Sequence, residues 1–472
     1  MTTDELRAAA DRLVQLHERF APLFGRKEAR AQSQIYLNGL LLATGRKSAE
    51  PMALECGTPT ADGVSQLQAV GLQRFLTYSP WEYQGIQREI QAVFVDELVP
   101  STAHWSIGTV GVLDSSGFTK QGTHSVGVQC QYCGHVGQTA NCQVGVFLTG
   151  VTPAGTVWLD HQLYLPKDWA QDQKRREQCY VPKEVRFRTE PQSAVELVRR
   201  TPEPGRVHFD WVTADETYGR NGAFLDDLEA IHQQYVVEVP VNTTVWTVDP
   251  ITQVPPPNDR GRPRTRSDRS AVRSVQAVAA DLPATAWQAL QLREGACGPL
   301  VFQFAAVRVW AVRQRKPGPA IWLVLRRSLE SGAEIQYYVS NAPAETKLET
   351  LALVTGCRYR VEEFFCAGKS YLGMAQYEAR AWSSWHHHMS LVGLAHLFVT
   401  LTRVSHKKTP ALTLDMALRL LKSALSRPKL TLEDAMDIVD YHLQRNKVAC
   451  ESHRKSWKKR HKKVKYKVLL KN

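Results

Sequence analysis

From Ile107 to Val239, short runs with strand-like alternation trade places with helical ones, and this interleaving limits the chain more than any other feature. The strand patterns are Ile107–Leu113, Val144–Thr149, Val157–Leu165, Val207–Thr213 and Tyr235–Val239. Helical patterns at Ala170–Gln178, Ser193–Arg200 and Phe224–Gln233 lie among them, and Pro153-Ala154-Gly155 supplies a turn between the second and third strands. A chain of this texture builds a mixed α/β core.

The flanks read differently. Leu6, Leu13, Phe20 and Phe24, then Ile35 to Leu42, recur at helical spacing. Pro51, Gly57, Pro59 and Gly63 mark a loop over Ala49–Ser65; helices are predicted over Leu67–Phe75 and from Pro80 toward Phe94. Residues 1–100 are therefore expected to form an all-helical domain, and 101–240 the first part of the core. Over 241–342 a Pro/Arg-rich linker from Val254 to Arg269 precedes strands at Leu300–Val312, Ile321–Arg326 and Ile335–Val339, which reads as a β-rich insertion. The helical stretch Tyr359–Leu401 completes the core within 343–405. Leu412–Leu425 and Leu432–Leu443 then lead through 406–472 to a basic tail.

Composition narrows the function. The 472 residues hold 59 Lys+Arg against 46 Asp+Glu, a formal charge of +13, with 43% hydrophobic residues to fill cores. Disorder, collagen-like and disulfide-scaffold classes are excluded. No run reaches the ~20 apolar residues of a membrane span, and nine cysteines in so long a chain argue for reduced thiols, so a cytoplasmic protein is expected. From Ser452 onward no acid occurs, while Arg454, Lys455, Lys458, Lys459, Arg460, Lys462 and Lys463 crowd together. Such a tail seeks a polyanion, and the basic excess of the whole chain points to DNA.

Asp114 and Asp215 each close a predicted strand, and Glu362 opens the helix after the insertion. Strand ends are where α/β folds present side chains to ligands. Three carboxylates suit Mg²⁺ or Mn²⁺, and a pair of ions ~3.5–4 Å apart can activate an attacking oxygen and stabilise a leaving one. The competing reading is that these acids are caps or turn residues. Arg358, Glu362 and Lys369 stand at i, i+4 and i+11, on one helix face; alternatively, the first two are an ordinary solvated pair contributing ~0.3–0.5 kcal/mol. Glu363 competes with Glu362, but a helix turns ~100° per residue, and the spacing to Arg358 and Lys369 selects Glu362.

Other signals carry less. Cys130, Cys133, His135 and Cys142 offer possible zinc ligands, yet the His follows its Cys too closely for a second pair, and buried thiols are expected. His386, His387 and His388 point in different directions on a helix, so core packing or hydrogen bonding near DNA is expected; Trp382 and Trp385 read as a core stripe. Arg260, Arg262, Arg264, Arg266 and Arg269 make the insertion's linker basic, either as a solvated loop or against a phosphate backbone.

Five ordered segments carry a resemblance: Val112-Leu113-Asp114-Ser115-Ser116-Gly117-Phe118-Thr119-Lys120-Gln121-Gly122, Asn141-Cys142-Gln143-Val144-Gly145-Val146, Leu163-Tyr164-Leu165-Pro166-Lys167-Asp168-Trp169, Thr213-Ala214-Asp215-Glu216-Thr217-Tyr218-Gly219 and Arg358-Tyr359-Arg360-Val361-Glu362-Glu363-Phe364-Phe365. With Lys369 and Trp385-His386-His387-His388, the chain from about Phe20 to about Leu401 resembles the DDE transposases of bacterial insertion sequences, family seven-oh-one, allied to family four. Two positions depart: Thr355 stands where the family-four helix has Tyr, and Ser115 where relatives commonly have an acid.

The resemblance implies an RNase H-like core interrupted by a β insertion, preceded by the helical domain. It implies Asp114, Asp215 and Glu362 as the catalytic and metal-binding triad, with two Mg²⁺ (Mn²⁺ possible). Arg358, Lys369, Lys120, Arg260, Arg262, Arg264 and Arg266 are the expected DNA contacts, and the partners double-stranded transposon ends and target, bound by a homodimer. A catalytically silent, domesticated DNA-binding protein is the alternative. A glycosidase is disfavoured, because its carboxylates need no basic surface.

Overall fold

The computed structural model describes residues 3–56, 66–202, 207–250, 271–295, 298–314, 316–330, 332, 334–405, 414–424 and 432–460. The linker arginines Arg260, Arg262, Arg264, Arg266 and Arg269 and the tail from 461 lie outside them.

Every regular element before residue 105 is helical: Thr3–Phe20, Lys27–Leu42, Ala49–Cys56, Gln66–Thr77 and Tyr83–Glu97, with two short 3₁₀ turns. The Ala49–Cys56 helix corrects the expected loop. Pro51 stands in its first turn, where a missing N–H costs nothing because helix N-terminal donors have no intrahelical partner.

Twelve strands follow: β1 (Val110–Thr119), β2 (Gln129–Cys133), β3 (Gln138–Val151), β4 (Thr156–Leu163), β5 (Trp211–Ala214), β6 (Tyr235–Val239), β7 (Thr244–Trp246), β8 (Val272–Ser274), β9 (Gln288–Gly295), β10 (Gly298–Arg313), β11 (Lys316–Arg327) and β12 (Gln336–Ser340). They form one mixed sheet in the order β2-β3-β1-β5-β6-β12-β11-β10-β7-β8, with β4 beside β3 and β9 beside β10. Strands β1, β5 and β6 run parallel; the remaining pairings are antiparallel.

The strands read as an insertion thus continue the core sheet, since β12 pairs with β6 from Tyr337↔Val239 to Ser340↔Val236. β1 does not stop at Asp114 as its pattern suggested. The long β3 offers it antiparallel partners as far as Thr119↔Cys142, so pairing outlasts the apolar alternation.

The helix Glu190–Arg200, closed at its start by a Thr189–Gln192 capping box, packs on β1, β3 and β4. The helices Leu348–Cys357 and Tyr359–Tyr371 pack on β1. The helix Trp382–Ser405 is buried from Trp382 to Thr402 apart from Ser383, which suits a helix surrounded by core. It lies against β4 and the helices Lys27–Leu42, Gln66–Thr77 and Tyr83–Glu97, and the Tyr36 hydroxyl meets His388 Nδ1 at 2.7 Å. One hydrophobic core runs from Leu13 to Leu421, joining the N-terminal helices to the sheet. Among the described residues no helix is long and apolar enough to cross a membrane.

Candidate active site

The parallel register decides where the first two carboxylates meet. Val112 pairs with Thr213 and Leu113 with Ala214, so Asp114 and Asp215 are the next residues on neighbouring strands. There the two chains part. β1 continues along β3, while Asp215 leaves the sheet and caps a short helix, Glu216–Gly219, accepting from Thr217 N at 3.0 Å and Tyr218 N at 3.4 Å. Asp215 is thus also the cap that the competing reading expected. Gly219 follows because the backbone turns back onto β6: a Cβ there would lie 1.9 Å from the Glu238 carbonyl oxygen.

Burial and the neighbouring Asp215 push the Asp114 carboxyl up to about 7, with Glu362 adding to the rise and Arg358 and the Ser115 N–H opposing it. A carboxyl raised first by burial and then by a second carboxylate marks a place where a cation would restore the balance of charge.

Glu362 stands in the first turn of the helix Tyr359–Tyr371 and is held by Arg358, Nη1 to Oε1 at 2.6 Å. The same guanidinium reaches Glu238 on β6, Nε to Oε2 at 3.2 Å. Burial works against the charge of Arg358, but Glu362, Asp114, Glu238 and Asp215 together raise its pKa. Arg358 therefore links the helix to the sheet among four acids. Glu363 points elsewhere, to Arg293 at 3.1 Å and Arg360 at 3.2 Å. Lys369 donates to the Gly117 carbonyl at 3.2 Å on β1; burial lowers its pKa, and Cys133 and Asp114 pull it back up.

Among the described residues no three His, Cys, Asp or Glu side chains stand close enough to hold a metal ion as placed. The donor set fits a hard divalent cation in chemistry: partly buried oxygen ligands, two of them repelling, with the third paired to a guanidinium.

Three participants escaped the sequence reading. Successive residues of a strand face opposite sides, so Ser115 points away from Asp114; its hydroxyl lies toward Glu190 and beside the buried Tyr218 phenol, whose oxygen has no hydrogen-bond partner among the described residues. Burial raises the Glu190 carboxyl, Ser115 opposes this, and Asp215 adds to it. Nothing local marks Glu190. Glu238 did leave a trace, as the one acid in the apolar run Tyr235-Val236-Val237-Glu238-Val239; burial raises it against Arg358 and Arg326.

Other expected residues do not join this group. Lys120 is half-buried, its Nζ 3.2 Å from the centroid of the Tyr377 ring and 2.9 Å from the Tyr377 carbonyl oxygen; burial and Arg46 lower its pKa to about 7 against Glu378. Cys133 and Cys142 are buried side by side, the Cys142 thiol donating to the Gln131 carbonyl at 3.8 Å, and burial and Cys133 push that thiol up to about 12. His387 stacks on Trp81 with ring centroids 3.8 Å apart, and Trp385 donates to the Tyr377 hydroxyl at 3.1 Å, so both belong to the core.

A family described as "DDE superfamily endonuclease" matches residues 19–299, well over half of the chain. That stretch holds Asp114 and Asp215 and stops before Glu362. A probable transposase for insertion sequence element IS701 from Microchaete diplosiphon is 27% identical over 173 residues, 36% of this chain and 41% of that protein.

Proposed function

Because the chain belongs to the DDE superfamily of endonucleases, we propose that it is an insertion-sequence transposase that cuts the ends of its element and joins them to target DNA. On this reading the sheet around β1 and β5 is an RNase H-like core and the helices before residue 105 bind DNA. The observation that carries the proposal is the in-register pair Asp114 and Asp215, facing a helix that presents Glu362 through Arg358.

Asp114, Asp215 and Glu362 would hold two Mg²⁺ ions, or Mn²⁺, whose chemistry is activation of the attacking oxygen and stabilisation of the leaving one. Water attacks a phosphodiester at the element end; the bond from phosphorus to the 3′ oxygen breaks, leaving a 3′-hydroxyl and a 5′-phosphate. That hydroxyl then attacks a target phosphodiester, forming one P–O bond as another breaks. Arg358 orients Glu362 and, with Lys369, supplies positive charge beside the phosphate. Lys120 and the linker arginines Arg260, Arg262, Arg264 and Arg266 are the further DNA contacts of this reading. A homodimer would bring two ends together.

The test is metal-dependent cleavage of DNA carrying the element end. Asp114→Ala is expected to abolish cleavage and leave end binding largely intact; loss of binding would make Asp114 a structural residue. End binding without cleavage by the wild-type chain in Mg²⁺ or Mn²⁺ would select the silent DNA-binding protein instead.

A further inference from the structure

The last described helix, Leu432–Arg460, is 29 residues long. It meets the rest of the molecule through one face: its Arg445 pairs with Glu50 at 3.2 Å, and the Tyr441 phenol lies beside the same carboxylate. Ile438 and Tyr441 are half-buried there. The opposite face is open. Met436, Val439 and Leu443 are 62%, 57% and 59% exposed, and Asn446, Cys450 and His453 continue the row, all exposed. Their spacing alternates three and four residues and runs on to Trp457. That is the a/d spacing of a coiled-coil seam, apolar at Met436, Val439, Leu443 and Cys450 and polar at Asn446 and His453. Here a is Met436, Leu443 and Cys450, and d is Val439, Asn446 and His453.

Charge selects the occupant. The column beside the seam, one residue after each d position, reads Glu433, Asp440, Lys447, Arg454, all exposed. It is acidic in its first half and basic in its second. Laid antiparallel on a copy of itself, Glu433 faces Arg454 of the second copy, and Asp440 faces Lys447. The same register sets each a residue against a d residue: Met436 on His453, Val439 on Cys450, Leu443 on Asn446. A parallel pairing wastes the charges, because the column that would meet them holds His442, Ala449 and Ser456.

We propose that the helix Leu432–Arg460 is a self-association surface that takes the same helix of a second copy of this chain, antiparallel, about a dyad between residues 444 and 445. The pairing forms without DNA, so it stands or falls separately from the catalytic reading. Across the dyad the two Asn446 side chains are ~4.5 Å apart along the axis, within reach of each other.

The full-length protein without DNA is examined by sedimentation across a range of concentrations, and a dimer is expected. Leu443→Glu should give a monomer with unchanged helix content and thermal midpoint. Lys447→Glu should weaken the dimer at least tenfold, and adding Asp440→Lys should restore it, since the pair is then reversed. With oxidised glutathione as the electron acceptor, Val439→Cys should form a disulfide to Cys450 of the second copy, the two thiols passing their electrons and protons to one glutathione disulfide, which leaves as two glutathione thiols. Wild-type chains should not link through Cys450 alone, because the two are ~16 Å apart along the axis. A monomer at every concentration, a dimer indifferent to Leu443→Glu, or a Cys450–Cys450 disulfide in the wild type would overturn the proposal.

Discussion

Two regions of this molecule gather titratable side chains, and they do opposite things with them. Around the ends of β5 and the Arg358 helix, Asp114, Asp215, Glu362 and Glu238 stand beside one guanidinium, partly open to solvent, with negative charge in excess. Along the helix Trp382–Ser405, His386, His387, His388 and His396 are buried, with their pKa values lowered to about 3, 4, 3 and 3, chiefly by burial. Burial keeps these rings neutral: His387 stands between the carbonyls of Leu76 and Trp81 at 2.7 and 2.9 Å, of which the single N–H of a neutral ring serves one, and His386 meets that of Trp382 at 3.0 Å while its Nε2 has no partner among the described residues. The density of ionisable groups therefore does not mark a site. Uncompensated charge at an open strand end does, because only there can a cation or a phosphate complete the balance.

The comparison breaks most sharply at Asp114. Asp114→Asn should lower metal-dependent cleavage by about 10³-fold or more, while the thermal midpoint holds or rises as repulsion from Asp215 is relieved. A large loss of stability would place Asp114 with the histidines. The converse is His387→Ala, which removes a ring stacked on Trp81 and should cost about 2–4 kcal/mol in denaturant unfolding.

The histidines also set a sign for acid. Their native pKa values lie below those of the unfolded chain, so between about pH 6.5 and pH 4 unfolding takes up protons. Stability should therefore fall as pH drops through that window, by up to ~1.4 kcal/mol per pH unit for each histidine. His396→Phe, beside Phe364, should shallow the slope measured by thermal unfolding at stepped pH.

Arg358→Lys tests the fork that holds Glu238 and Glu362 together. An ammonium cannot span both, and cleavage should drop about tenfold with folding intact. Smallest is Glu363→Gln, next to Glu362 but paired outward to Arg293 and Arg360. It should change stability by less than ~1 kcal/mol and leave cleavage unchanged.

Much of this was legible in the chain. The run Tyr235–Val239 has in the fold the bounds its pattern suggests, because a β-branched run broken only by Glu238 and bounded by turn signals leaves a strand few choices. Glu362 was separated from Glu363 by helical phase, and the two do point to different partners. β2 was not seen: Gln129-Cys130-Gln131-Tyr132-Cys133 has little apolar pattern and becomes a strand by pairing with β3. The extension of β1 past Asp114 and the joining of β12 to β6 were invisible for the same reason, since ladder partners lie far off in sequence.

The sequence by itself determined the chemistry available: three separated acids, a guanidinium one helical turn before the third, and the local periods that make strands and helices. Those depend on neighbours a few residues away. The tertiary structure alone decided that Asp114 and Asp215 adjoin, that Glu190 and Glu238 crowd them, and that the three histidines are sealed from solvent. Each of these follows from strand register and helix packing, which bring together residues scores of positions apart and so leave no periodic trace along the chain.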